Sequence, residues 1–123
     1  MKSDMSCDII EFNIGGTTYT TSRTTVTSYP DSMLCCMISG RLPNATDAKQ
    51  RVFIDRDGPL FRYILNFLRD KQLNLPDDFN DFRQLRQEAD FYRIDPIITQ
   101  LDKQYPNNHT QSAVDLKGLN FFI

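Results

Sequence analysis

The sequence predicts an α+β domain, a small sheet built around a β-hairpin with a cluster of helices in the C-terminal half. Three observations predict it. Near the N-terminus apolar and polar residues alternate on either side of a glycine pair; Val52-Phe53-Ile54 is an isolated apolar run; and from Leu60 onward apolar residues recur every three or four positions.

In chain order, Ile10, Phe12 and Ile14 alternate with Glu11 and Asn13, and a Thr/Tyr run follows from Thr17 to Thr21, so the pattern is strand, turn, strand. Gly15-Gly16 supplies the positive φ that a tight hairpin turn demands. It lacks the GxGxxG spacing of a phosphate-cradling loop, and no helical pattern opens behind it. Thr21 or Ser22 can cap a short helical turn, and Pro30-Asp31-Ser32 opens a second short helix through Met33, Leu34, Met37 and Ile38 that Gly40 ends. Arg41 to Arg51 has no apolar periodicity and predicts a polar loop, after which Val52-Phe53-Ile54 predicts a third, buried strand. Asp57-Gly58-Pro59 starts a helix with Leu60, Phe61, Ile64, Leu65 and Leu68 on one stripe, broken by Asn74-Leu75-Pro76. Asp77 or Asp78 can cap the next, which carries Phe79, Phe82, Leu85, Ala89 and Tyr92; Asp95-Pro96 opens a last helix with Ile97, Ile98 and Leu101. The expected organisation is an N-terminal extension over 1–8, a single domain over 9–103, and a polar linker with a short apolar end, Leu119 to Ile123, over 104–123.

With 123 residues the chain has the length of one domain, and a net charge of -2 removes the general attraction to phosphate backbones, so nucleic acid is not an expected partner. The most apolar stretch, Leu60 to Leu68, contains Arg62 and falls far short of the roughly 20 residues of a membrane span, and the basic residues are too few for a polybasic anchor. Three cysteines, two of them adjacent at Cys35 and Cys36, make no disulfide framework, which fits a reducing, cytoplasmic setting.

Catalytic chemistry finds few residues to use. The one histidine, His109, lies in the polar C-terminal stretch, and Cys7, Cys35 and Cys36 are expected as small apolar residues in or near the core. CxxC and HxxxH pairs are absent, so a structural zinc is not expected; no cofactor and no small-molecule substrate are expected either, for want of a catalytic cluster. Asp55-Arg56-Asp57 suits ion pairing better than metal binding. The charges are skewed instead, with nine Arg to five Lys and fourteen Asp to two Glu, and seven of the arginines fall between Arg51 and Arg93. Guanidinium forks bind carboxylates bidentately and tolerate partial desolvation, which suits protein interfaces; a solvated, self-paired helix face is the alternative.

Six segments in order carry a resemblance: Asn13-Ile14-Gly15-Gly16, Thr21-Ser22-Arg23-Thr24-Thr25, Tyr29-Pro30-Asp31-Ser32-Met33-Leu34, Phe53-Ile54-Asp55-Arg56-Asp57-Gly58, Phe61 to Arg69, and Leu85-Arg86-Gln87-Glu88-Ala89-Asp90-Phe91-Tyr92. Together, from about Ile9 to Leu101, they closely resemble the BTB/POZ domain of the potassium-channel tetramerisation type, in the KCTD family. The resemblance implies a BTB/POZ fold, no enzymatic activity, and head-to-tail self-assembly into a closed ring, five subunits favoured over four. It assigns the ring interface to Asp55, Arg56, Asp57 and Arg62, with Asp31, Arg69, Arg86 and Glu88 as further candidates, so that acids and arginines of different subunits pair. It also implies a substrate adaptor that docks cullin 3 of an E3 ubiquitin ligase. The cullin-facing residues are then Met33, Met37, Ile38, Ser39, Gly40 and Arg41 of the second short helix and its loop, with the junction Phe91-Tyr92-Arg93, where exposed Met and Tyr act as contact area. The rival readings are the cytoplasmic assembly domain of a voltage-gated potassium channel and a receptor- or transcription-associated scaffold without ligase function.

Overall fold

Alternation in the first segment produces the expected hairpin. In the computed structural model, which describes residues 8–106, β1 (Ile9–Ile14) pairs antiparallel with β2 (Thr17–Ser22), in a register that sets Ile14 opposite Thr17 and Phe12 opposite Tyr19. Gly15 turns the chain at φ +57, and the Asn13 side-chain carbonyl accepts from the Gly16 N–H at 2.8 Å. The period of two then sends Phe12 and Ile14 into the core and leaves Glu11 exposed.

Serine starts the two short helices. The Ser22 hydroxyl accepts from the Thr25 N–H to cap α1 (Arg23–Thr27), and the Ser32 hydroxyl accepts from the Cys35 N–H to cap α2 (Met33–Ile38). The stretch 41–51 is not all loop, because β3 (Ala45–Thr46) pairs antiparallel with β4 (Val52–Ile54). Asp47 makes that possible. Its carboxylate accepts from the Lys49 and Arg51 N–H groups and from the Arg51 guanidinium, closing the turn, and from the Asn13 amide at 2.9 Å, tying the turn to β1. β4 lies parallel to β1, giving the order β2-β1-β4-β3. It is less buried than a continuous apolar run suggests: Ile54 is in the core, while Val52 and Phe53 are half-buried.

The Asp57 carboxylate accepts from the Leu60 N–H at 3.1 Å and starts α3 (Gly58–Asp70), with Pro59 in the first turn. Position 58 must be glycine for lack of space, since a Cβ there would stand 2.5 Å from the Ile14 carbonyl oxygen and closer still to the Thr17 hydroxyl. α3 ends before Asn74-Leu75-Pro76, because Lys71 at φ 59 turns its N–H back to the Phe67 carbonyl. Neither Asp77 nor Asp78 caps the next helix: α4 (Phe82–Phe91) starts after Asp81, without a side-chain cap bond. α5 (Asp95–Gln104) follows, with Pro96 in its first turn. The core forms where Phe12, Ile14 and Ile54 of the sheet join Phe61, Ile64, Leu65 and Leu68 of α3, Leu85 and Ala89 of α4, and Ile97 and Leu101 of α5. Cys7, His109 and Leu119 to Ile123 lie outside the described residues.

Candidate interaction surfaces

The loop between β4 and α3 carries Asp55, Arg56 and Asp57, and its geometry separates the three. Arg56 turns towards α4, where its Nε and terminal nitrogen donate to the two carboxylate oxygens of Glu88 at 3.1 and 2.7 Å. Its guanidinium carbon also stands 4.2 Å from the centre of the Phe91 ring. The Glu88 side chain is 8% exposed and that of Arg56 31%. Hydrogen bonding to Glu88 holds the Arg56 pKa above its usual value, so the guanidinium stays charged. Arg56 and Glu88, both expected to reach a neighbouring subunit, thus satisfy each other within one chain. Asp57 caps α3, and Asp55 is exposed.

The remaining charged candidates are spread over the surface. Asp31 and Arg62 are exposed, and Arg62 lies 5.9 Å from the Tyr63 ring. The Arg69 guanidinium donates to the Asn66 side chain and to the Thr20 carbonyl of β2. Arg86 pairs with Asp102 of α5 at 3.4 Å. Asp47 was not singled out in the sequence, although it organises the β3–β4 turn; only the Asx-turn spacing to Lys49 hinted at it.

A second surface is assembled from two distant parts of the chain. The Met33 N–H at the start of α2 donates to the Tyr92 carbonyl at 2.8 Å, so α2 and the α4–α5 junction adjoin. Met33, Met37 and Ile38 are half-buried, with Met37 and Ile38 packed on the core from outside, and Ser39, Gly40 and Arg41 are exposed. Arg41 folds its loop against the helix, donating to the Pro30 carbonyl and the Ser39 hydroxyl, while the Arg41 and Leu42 N–H groups donate to the Cys36 carbonyl. At the junction Phe91 is half-buried and Arg93, at φ +61, is exposed.

Tyr92 corrects the expectation of an exposed aromatic there. It is 0% exposed, packed edge-on against Phe61 at 5.3 Å, and its hydroxyl is buried without a hydrogen-bond partner among the described residues. The reason is periodic: Phe82, Leu85, Ala89 and Tyr92 lie on one apolar stripe, and Tyr92 continues it into the core. Burial pushes its hydroxyl pKa above the usual tyrosine value.

Cys35 is buried and Cys36 half-buried, both as free thiols. Among the described residues no group of three His, Cys, Asp or Glu side chains could hold a metal ion, and no helix is long and apolar enough to cross a membrane.

The sequence profile of the BTB/POZ domain matches residues 10–101. The BTB/POZ domain-containing protein KCTD21 of Mus musculus and that of Homo sapiens are each 54% identical to this chain over 97 residues. The match covers 79% of this chain and 37% of each relative, so the chain spans little more than a third of their length. Domains of this kind are non-catalytic protein-interaction domains that self-assemble. With a hairpin, a mixed four-stranded sheet and five helices among its described residues, the chain belongs to the BTB/POZ domain family, of the potassium-channel tetramerisation type.

Proposed function

We propose that the chain is the homo-oligomerisation module of a cytoplasmic substrate adaptor, closing a ring of five copies rather than four and docking cullin 3 of an E3 ubiquitin ligase. One observation carries the adaptor reading: the bond from the Met33 N–H to the Tyr92 carbonyl, which joins α2 and its loop to the α4–α5 junction. The joined patch offers Met33, Met37, Ile38 and Phe91 as apolar contact area, with Ser39, Gly40, Arg41 and Arg93 as a polar rim. Tyr92 supports this patch from beneath.

Ring closure rests on the exposed charges that the fold leaves outside its own ion pairs. Asp31, Asp55 and Arg62 are the candidates for contact with a neighbouring copy, and a head-to-tail interface joins two different faces, so acids on one can meet arginine on the other. Native mass spectrometry tests the ring: a pentamer is expected, and a monomer at micromolar concentration refutes it. Calorimetric titration with an N-terminal fragment of cullin 3 tests the adaptor. Binding that is lost in Met37→Asp is the expected result, and no heat at micromolar concentration refutes the docking.

A further inference from the structure

A depression of about 420 Å³ lies between the α3–α4 loop and the end of α5, with Asp77, Phe79, Asn80, Phe82 and Tyr105 among its walls. None of the residues assigned above to the ring or to the cullin-facing patch lines it. Its rings form a ladder: Phe79 stands edge-on to Phe82, and Phe82 leans on Tyr105, each pair with ring centres 5.1 Å apart. Phe82 is 8% exposed, so the half-buried Phe79 and Tyr105 offer the accessible ring surface. The adjoining loop is acidic. From Asp77 to Asp81 it carries three aspartates, all exposed, and no base. Each stands near the start of α4, yet none caps it: Asp81 occupies the cap position without a side-chain bond. Among the described residues no ion pair engages any of the three, and no such group of acids could hold a metal ion. Arg83 and Lys103, the nearest bases in sequence, are exposed and do not line the depression.

From this geometry we infer that the depression receives an arginine side chain from a basic segment of a partner protein. Negative charge around it repels phosphate-bearing partners and attracts a cation. Carboxylates that do not converge, set beside aromatic rings, suit an organic cation with a flat face rather than a metal ion. A guanidinium can stack on Phe79 or Tyr105 while its fork donates to the Asp77 carboxylate and the Asn80 side-chain carbonyl. A lysine ammonium has no planar face to stack and is more strongly hydrated, so it fits less well. The fold already holds one guanidinium by the same combination: Arg56 donates to the Glu88 carboxylate and stands 4.2 Å from the centre of the Phe91 ring.

The test is an NMR titration of the isotope-labelled full-length chain with a blocked Gly-Arg-Gly-Arg-Gly peptide, and with the same peptide carrying lysine or the neutral isostere citrulline in place of arginine. Saturable amide shifts centred on Phe79, Asn80 and Tyr105 are expected with arginine, severalfold weaker binding with lysine, and none with citrulline. Asp77→Asn, at an exposed position, and Tyr105→Leu, which keeps apolar packing on Phe82, are each expected to weaken binding about threefold while circular dichroism stays unchanged. Four outcomes overturn the inference. Equal binding of the citrulline peptide removes charge from the recognition, and equal binding of the lysine peptide removes the planar fork. Binding that neither variant weakens places the arginine elsewhere. Shifts at Phe79 and Tyr105 when the chain alone is diluted to a monomer assign the depression to a neighbouring copy.

Discussion

Replacing Arg56 by alanine separates a bond within the subunit from a bond between subunits. The guanidinium makes two charge-assisted hydrogen bonds to Glu88, at 3.1 and 2.7 Å, and covers the Phe91 ring. Truncation leaves the Glu88 carboxylate, 8% exposed, without its partner. Breaking a buried pair in this way costs about 3–5 kcal/mol, and because the Arg56 side chain is 31% exposed the lower end applies, about 3 kcal/mol. For a domain of this size that is a fall in melting temperature of about 15 °C. Glu88→Gln keeps one acceptor and loses the charge, for about 1–2 kcal/mol. The double replacement Arg56→Met with Glu88→Leu removes both charges and recovers most of the loss. The assay is urea unfolding of all four proteins at one fixed protomer concentration, since self-assembly adds to apparent stability. If Arg56→Ala costs less than about 0.5 kcal/mol in unfolding at a protomer concentration low enough for wild type and variant both to be monomeric, yet abolishes the oligomer at higher concentration, the arginine acts across subunits and the intrachain reading fails.

Three further outcomes follow from particular contacts. Gly58→Ala forces a Cβ to 2.5 Å from the Ile14 carbonyl oxygen and 2.7 Å from the Thr17 Cβ, and is expected to destabilise by about 3 kcal/mol, read by thermal unfolding. Tyr92→Phe removes a buried hydroxyl that has no partner, so its stability should equal the wild type or exceed it by about 1 kcal/mol; a loss in urea unfolding would show that the hydroxyl is bonded. Hydrogen bonds from Asn13 and then from Arg51 hold the Asp47 carboxyl well below its ordinary value of 3.8, so its contribution is complete above that pH and fades as acidity increases towards the folded-state value. The stability gap between wild type and Asp47→Asn should therefore shrink below pH 3.8, and a gap constant from pH 7 to pH 2 contradicts the network.

Local chemistry was legible in the sequence and long-range pairing was not. The glycine turn, the Ser22 and Ser32 caps and the Asp57-Gly58-Pro59 helix start are each written in a few neighbouring residues, and each is present. β3 is only two residues long and exists because Asp47 closes the turn beside it, a bond with no periodic signature. At α4 several aspartates compete for the start, and Asp81, immediately ahead of the apolar stripe, takes it without a cap bond. Arg56 and Glu88 are 32 positions apart, a partnership that only the packing of α4 beside the β4–α3 loop creates. Tyr92 shows a conflict between two kinds of inference. Its place in the helical period pointed to the core, and the resemblance pointed to the surface; burial followed the period.

The parallel pairing of β4 with β1 has a kinetic consequence. The hairpin can form from adjacent residues, but of the core that Phe12 and Ile14 join only Val26 and Leu34 lie in the first fifty residues, and the rest waits for Ile54 and the apolar stripe of α3 from the middle of the chain. During synthesis, then, the first fifty residues or so emerge as a hairpin and two one-turn helices that stay open. Closure waits for the segment that brings Gly58 against the hairpin turn. The slow step of folding is expected there, and a substitution at that joint should slow refolding more than it speeds unfolding.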